Sequence, residues 1–217
     1  MDENKKIAVV DYQLGNLFSV NQALLNTGAN VVITSNPEEI RQADALVLPG
    51  VGAFGDAMQN LLLLQIVDPI KEAVAAGKPF FGICLGLQLL FETSEEFGAG
   101  DGLGLIPGVV KKFSAGPGEE KLKVPQISWN KIHQANQPWS KSPLSALDDG
   151  DFVYFVHSYY VVPSDTNIGL TKTRYGQTEY ISGIQRGNIF AVQFHPEKSG
   201  QKGLSIYSRW AQQNNLI

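Results

Sequence analysis

The first hundred residues alternate between short apolar runs and stretches whose apolar residues recur at steps of three and four. "KIAVVDY" (6–12), "ANVVITS" (29–35), "ADALVLPG" (43–50) and "KPFFGIC" (78–84) are rich in Val, Ile and Phe and are bounded by Gly, Pro and Asn. Runs without polar alternation predict strands buried on both faces. Between the first two, Leu17, Val20, Ala23, Leu24 and Thr27 fall on one side of a helix. Residues 56–76 predict one or two more helices, broken near Asp68-Pro69. Strand and helix in alternation imply a parallel sheet covered on both sides.

After residue 98 the pattern changes. "GAGDGLGLIPG" (98–108) reads as loop, and "AGPGEEKLK" (115–123) as a turn between two strands. "VYFVHSYYVV" (153–162), "IGLTKTRYG" (168–176), "YISGIQRG" (180–187) and "NIFAVQFHP" (188–196) are spaced like antiparallel strands and hairpins, and residues 199–214 like a helix. The aromatics around 152–160 predict core packing on one face of a strand, with Ser158 and Tyr159 as possible rim residues. The expected fold is α/β: an open, mainly parallel sheet with antiparallel strands added in the second half, in one domain spanning 1–217.

Composition narrows the function classes. Apolar residues make up 43% and charged residues 18% of the 217 residues, as in a globular enzyme. A net charge of −4 without any Lys/Arg cluster argues against a nucleic-acid surface. No stretch approaches the roughly 18–20 apolar residues of a membrane span. The start, "MDENKK", lacks the pattern of a signal peptide, and one cysteine cannot form an internal disulfide. A cytoplasmic location is expected. Three scattered histidines and one cysteine have no metal-ligand spacing, so neither metal nor cofactor is expected.

Three motifs can carry chemistry. Gly82-Ile83-Cys84-Leu85-Gly86 has the frame of a nucleophile elbow, with cysteine in place of serine between an incoming strand and an outgoing helix. A helix N-terminus there favours the thiolate, and the Leu85 N–H could help hold an oxyanion. A lone cysteine is also among the most commonly buried residues, so this motif supports either reading by itself. The second motif is "VQFHPEKSG". Residues two apart on an extended strand share a face, so Glu197 can hydrogen-bond one nitrogen of His195 and leave the other free. A structural His–Glu pair would look the same. His133 lies in a polar stretch and His157 has no carboxylate two residues on, which leaves His195 as the candidate base. The third is Gly50-x-Gly52-x-x-Gly55 after a strand, which matches a dinucleotide fingerprint. That reading expects an acidic residue about 20 positions later at the end of the next strand. The next strand ends at Cys84 instead, and the alternative is backbone N–H groups approaching a reacting carbonyl.

Together, "VVDYQLGNLFSV", "LPGVGAFGDAM", "GICLGLQLLFE", "GLGLIPGVVKKF", "KVPQISWN", "YFVHSYYV" and "VQFHPEKSG" resemble the class I (triad) glutamine amidotransferases. Within that class the chain is most similar to glutaminase subunits that serve a (βα)8-barrel cyclase in histidine biosynthesis. Sibling glutaminases of anthranilate, aminodeoxychorismate, purine or pyridoxal phosphate synthesis are the nearest alternatives, and a non-catalytic regulatory subunit on the same scaffold is a further one. The resemblance implies a flavodoxin-like sheet with helices on both faces. It also implies Cys84 as nucleophile, His195 as acid and base, and Glu197 as orienter. The main-chain N–H groups of Val51, Gly52 and Leu85 match the oxyanion hole, and Gln88, Ser158 and Tyr159 match positions that hold glutamine. Asn16, Trp129, Asn130 and Lys198 match positions near the cyclase interface. In the family the partner uses ammonia to make imidazole glycerol phosphate and aminoimidazole carboxamide ribotide. Gln13, Gln126 and Ser128 depart from the family pattern of glycine, histidine and glycine, and are expected at or near the partner-facing surface.

Overall fold

The computed structural model describes residues 5–98, 100–116 and 122–217. Its elements are β1 (Lys6–Val10), α1 (Leu17–Leu25), β2 (Asn30–Thr34), α2 (Pro37–Gln42), β3 (Ala45–Gly50), α3 (Phe54–Leu63), α4 (Val67–Ala75), β4 (Phe80–Cys84) and α5 (Leu85–Leu89). The second half adds β5 (Phe91–Ser94), β6 (Gly100–Asp101), β7 (Ile106–Lys112), β8 (Gln126–Lys131), β9 (His133–Gln134), β10 (Phe152–His157) and β11 (Tyr159–Pro163). The chain ends with β12 (Gly169–Tyr175), β13 (Thr178–Arg186), β14 (Ile189–Val192) and α6 (Gly200–Gln213).

Among the described residues one sheet runs β2-β1-β3-β4-β14-β13-β11-β7-β5-β6, with β12 and β9 joined at β13. The β1, β2, β3 and β4 pairs are parallel, as the alternating pattern predicts. From β14 to β13 and onward to β11 and β7 the sheet is antiparallel. Strand period 2 sends Ile7, Val9, Phe81 and Ile83 to one side, with residues of α1 and α6. Ala8, Val10, Leu46 and Phe80 go to the other, with residues of α2, α3 and α4. No helix among the described residues is long and apolar enough to cross a membrane.

Several expectations change in detail. The break in 56–76 falls at 64–66, and Pro69 sits in the first turn of α4, where a missing N–H costs no helical bond. A short helix, α2, lies in a stretch too short to show an apolar repeat. Its start is set locally, by Asn36 accepting from the Glu38 N–H at 2.9 Å and by Pro37 at the first position. Within 98–108, residue 99 aside, the chain forms β6 and begins β7 rather than staying loop. The turn over 115–123 falls largely on residues 117–121, outside the described residues. "VYFVHSYYVV" is two strands in two sheets: β10 pairs with β8 in a separate two-stranded sheet, whereas β11 joins the main one. Val153, Phe155 and His157 are buried on one face of β10, but Phe152 is exposed and Tyr154, Tyr159 and Tyr160 are only half-buried, so the aromatics form the expected core face only at Phe155. The strand before His195 pairs antiparallel with β13 but parallel with β4, and that second pairing brings two distant motifs side by side.

An aromatic cluster fixes this pairing. Phe81 on β4 lies 4.9 Å from Phe190 on β14, and 5.4 and 5.5 Å from Tyr207 and Trp210 on α6. Truncating such a buried ring costs about 3–5 kcal/mol. Phe81→Ala would therefore loosen the strands that carry the two motifs.

Candidate active site

Cys84 is the last residue of β4 and the cap of α5, with φ 55° and ψ −107°. A non-glycine residue held there costs on the order of 1–3 kcal/mol, so the surrounding packing must impose it. The strain sits on the cysteine itself. Its flanking glycines serve close packing of chain on chain: a Cβ on Gly86 would overlap the Leu48 carbonyl, and one on Gly82 would press on Ala191 and the Gly86 carbonyl. The helix that follows has only five residues, so its dipole is slight.

The sulfur is buried between an acceptor and a donor. Sγ lies 3.9 Å from the Val156 carbonyl oxygen, and the Gln193 side-chain amide donates to Sγ at 3.6 Å. Gln193 was not singled out from the sequence. Its amide oxygen accepts from the Gln88 amide at 3.0 Å, and Gln88 also donates to the Tyr159 carbonyl at 3.0 Å. Both Gln88 N–H groups are thus spent within the protein, and its oxygen is the group left to meet a ligand.

His195 and Glu197 pair as expected, by a different geometry. Nδ1 lies 2.8 Å from the Glu197 carboxylate, with side-chain exposures of 3% and 2%. The chain is not an extended strand here, because Pro196–Lys198 form a 3-10 turn that folds Glu197 back under the ring. The main chain is pinned to β10, by His195 N–H donating to the Tyr154 carbonyl at 2.9 Å and by Tyr154 N–H donating to Ser199 Oγ at 2.9 Å. Tyr207 donates to the second carboxylate oxygen of Glu197 at 3.3 Å. Burial, and then the Glu197 charge, raises the Tyr207 phenol well above its ordinary range, so it stays a neutral donor. The free Nε2 of His195 is buried and makes no hydrogen bond among the described residues. Burial by itself would lower this imidazole. The Cys84 sulfur outweighs it, with help from Glu197, and pushes His195 up to about 10. The sulfur acts on the ring from nearby, although Nε2 and Sγ are not in hydrogen-bonding geometry.

One cavity of about 240 Å³ joins most of the other predicted residues, with Val51, Gly52, Cys84, Leu85, Gln88, Ser158 and Tyr159 on its wall. His195 lies outside that wall. Glu96, also unread from sequence, is the carboxylate lining the cavity, and it accepts the Phe54 N–H at the start of α3 at 2.6 Å. The Leu85 N–H is at the first position of α5, where helices leave donors free. The Val51 N–H is not free, because it points to the Leu14 carbonyl at 3.4 Å. Tyr12 packs its hydroxyl against Gly50, buried and without a hydrogen-bond partner among the described residues. Burial and then Cys84 hold that phenol far above its usual range.

The residues expected at a partner surface are separated by function in the fold. Trp129 is 51% exposed on β8 and meets Tyr154 edge-on, and the exposed Lys198 lies over the same Tyr154 ring. Asn130 donates to the Arg174 carbonyl at 2.9 Å, and Asn16 caps α1. Gln13 is exposed with φ 69°, which explains a glycine preference at that position. Ser128 is half-buried. Gln126 is not on the surface: it is 0% exposed and accepts from the Tyr180 hydroxyl at 3.1 Å. Tyr180 also reaches His157 Nε2 at 3.1 Å, whose Nδ1 meets the Tyr159 carbonyl at 2.8 Å. No group of three or more metal-ligating side chains exists among the described residues.

Known proteins resemble this chain at two levels, the family and the fold. The family described as "Glutamine amidotransferase class-I" matches residues 8–210. The imidazole glycerol phosphate synthase subunit HisH of Gloeothece citriformis is 47% identical over 210 residues, covering 95% of each chain. The same subunit of Aquifex aeolicus is 49% identical over 205 residues, covering 93% of each. Among solved structures, PurLQS from Thermotoga maritima superposes with a TM-score of 0.73 at 20% identity, over 96% of this chain and 98% of that one. The glutaminase domain of Trypanosoma brucei CTPS superposes with a TM-score of 0.63 at 13% identity, over 97% and 94%. The distant likenesses carry the fold, and the close ones the subgroup. The chain therefore belongs to the class I glutamine amidotransferases and, within them, to the HisH subunits of imidazole glycerol phosphate synthase.

Proposed function

We propose that this chain, acting as one amidotransferase domain, hydrolyses the side-chain amide of glutamine and hands the ammonia to a synthase partner. Cys84 Sγ attacks the amide carbon, and His195 gives its proton to the departing nitrogen, releasing ammonia and leaving a glutamyl thioester. His195 then takes a proton from water, whose oxygen attacks the thioester, and glutamate leaves as Cys84 is restored. Glu197 keeps the imidazole in the required orientation. The observation that carries this reading is the buried His195–Glu197 pair at 2.8 Å, set beside the strained Cys84 by the parallel pairing of β14 with β4.

Substrate groups are assigned by chemistry. The free oxygen of Gln88 and the carboxylate of Glu96 suit the α-ammonium of glutamine, and Ser158 and Tyr159 line the same cavity. The Leu85 and Gly52 N–H groups serve the oxyanion, with Val51 completing the hole once its N–H leaves the Leu14 carbonyl. That requirement supports a site activated by its partner. The relatives are subunits of imidazole glycerol phosphate synthase, and ammonia must be kept from water to stay nucleophilic. The partner proposed is a (βα)8 cyclase seated over Trp129, Asn130, Lys198 and Asn16. It would use the ammonia to form imidazole glycerol phosphate and aminoimidazole carboxamide ribotide.

Glutamate release by Cys84→Ala in the presence of the cyclase tests the chemistry. The variant is expected to bind the cyclase normally and to release no glutamate above background; turnover at the parent rate overturns the triad. Measuring the parent with and without cyclase and its nucleotide tests the activation, and equal rates would contradict it.

A further inference from the structure

We infer that Gln193 is a positioning residue for the nucleophile: its carboxamide holds the Cys84 sulfur in the attacking form, and Gln88 dictates which end of that carboxamide the sulfur meets. The inference rests on Cys84 being the nucleophile.

The register of β14 on β4 pairs Val192 with Ile83, so the next residues on each strand, Gln193 and Cys84, are neighbours. Gln193 is 0% exposed, and its main-chain N–H is held by the Ser182 carbonyl at 2.8 Å. A glutamine amide can present either end, and the surrounding bonds decide between them. The Tyr159 carbonyl can only accept, so Gln88 must turn its nitrogen towards it. The same nitrogen then faces Gln193, which must answer with its oxygen at 3.0 Å. The remaining end, an N–H donor, is left pointing at Sγ at 3.6 Å. Reversing Gln193 would set two NH2 groups against each other and an oxygen against the sulfur. The orientation is therefore imposed from a main-chain carbonyl through two side chains.

The other polar neighbour of the sulfur works in the opposite sense. The Val156 carbonyl at 3.9 Å can accept from a thiol, and it repels a thiolate. A carboxamide N–H gains strength when its acceptor is charged, so Gln193 favours the anion. With only five residues in the helix behind Cys84, the helix dipole adds little to that preference. The inference also places the cavity wall and the nucleophile in one chain of bonds, because Gln88 lines the cavity while its nitrogen polarises Gln193.

Alkylation by iodoacetamide as a function of pH tests this on the full chain, since Cys84 is the sole cysteine. Gln193→Met keeps the volume and removes the donor. Gln193→Glu keeps the acceptor that Gln88 needs and places a negative oxygen at the sulfur, so it remains informative if the methionine variant misfolds. The midpoint of the alkylation profile is expected to move up by about one to two pH units in Gln193→Met, and further in Gln193→Glu. At neutral pH, kcat should fall by about tenfold to a hundredfold with KM little changed. A midpoint within about 0.3 pH unit of the parent in a folded variant overturns the inference, since a loss from misplaced packing leaves the profile where it was. If Cys84→Ala retains full turnover, the glutaminase reading itself falls, and the role of Gln193 with it.

Discussion

Two histidine–carboxylate pairs in this molecule have nearly the same geometry and very different surroundings. His133 Nδ1 meets Asp149 at 3.0 Å with exposures of 45% and 60%, and His195 Nδ1 meets Glu197 at 2.8 Å with both side chains almost wholly buried. The hydrogen bond to His133 is the main cause that lowers the Asp149 carboxyl, and water screens the rest of their attraction. At His195 the packing excludes water, Tyr207 satisfies the second carboxylate oxygen, and the Cys84 sulfur acts on the ring from the next strand. A hydrogen bond between imidazole and carboxylate is therefore not sufficient for a triad. What distinguishes the pair at 195 is burial, a carboxylate with both oxygens bonded, and a nucleophile one strand away.

Substitutions can break this contrast in order of expected size. His195→Asn is expected to lower glutaminase kcat by on the order of 10³–10⁴, whereas His133→Asn should leave it within about twofold, measured as glutamate release with the partner bound. Equal losses in the two variants would remove the distinction. Glu197→Gln keeps the shape and loses the charge that holds the imidazole, and a drop on the order of 10² in kcat is expected in the same assay.

The third histidine gives the next effect, in stability. His157 is buried without a carboxylate, and burial, opposed by the bond to the Tyr159 carbonyl, lowers it to about 4. A depressed value means that the unfolded chain binds more protons between about 6.5 and 4, so stability is full above that window and is lost as pH falls through it. The loss amounts to about 3 kcal/mol, read as a shift in urea midpoints between pH 7 and pH 4, and His157→Gln should flatten it. Tyr207→Phe, which leaves one Glu197 oxygen without its donor, should cost about 1 kcal/mol of stability and a several-fold loss in kcat. Smallest of all, Asp149→Ala should cost no more than about 1 kcal/mol in the same denaturation assay.

The parallel strands of the first half were legible because continuous apolar runs and helical spacing leave few alternatives there. The pairing of β14 was not, because "NIFAV" has the same apolar character beside a parallel or an antiparallel neighbour. Cys84, His195 and Glu197 stood out through rarity and spacing. Gln193, Tyr207 and Glu96 did not, since each acquires its role from a partner far along the chain: Sγ is 109 residues from Gln193, and the Phe54 N–H is 42 from Glu96. Gln126 was expected near the surface, yet it is buried, bonded to Tyr180 on β13 and paired with His157 on β10. A residue's position relative to a motif does not report which strand will cover it.

The central claim is that Cys84, served by the buried His195–Glu197 pair, carries glutamine through a covalent intermediate. Acid-quenching the chain with its cyclase during turnover, followed by mass analysis of the Cys84 peptide, tests it directly. The account predicts a glutamyl adduct on Cys84 that hydroxylamine removes, with Cys84→Ala forming neither adduct nor glutamate. Glutamate formed at the parent rate by Cys84→Ala, with no adduct on either chain, would contradict it.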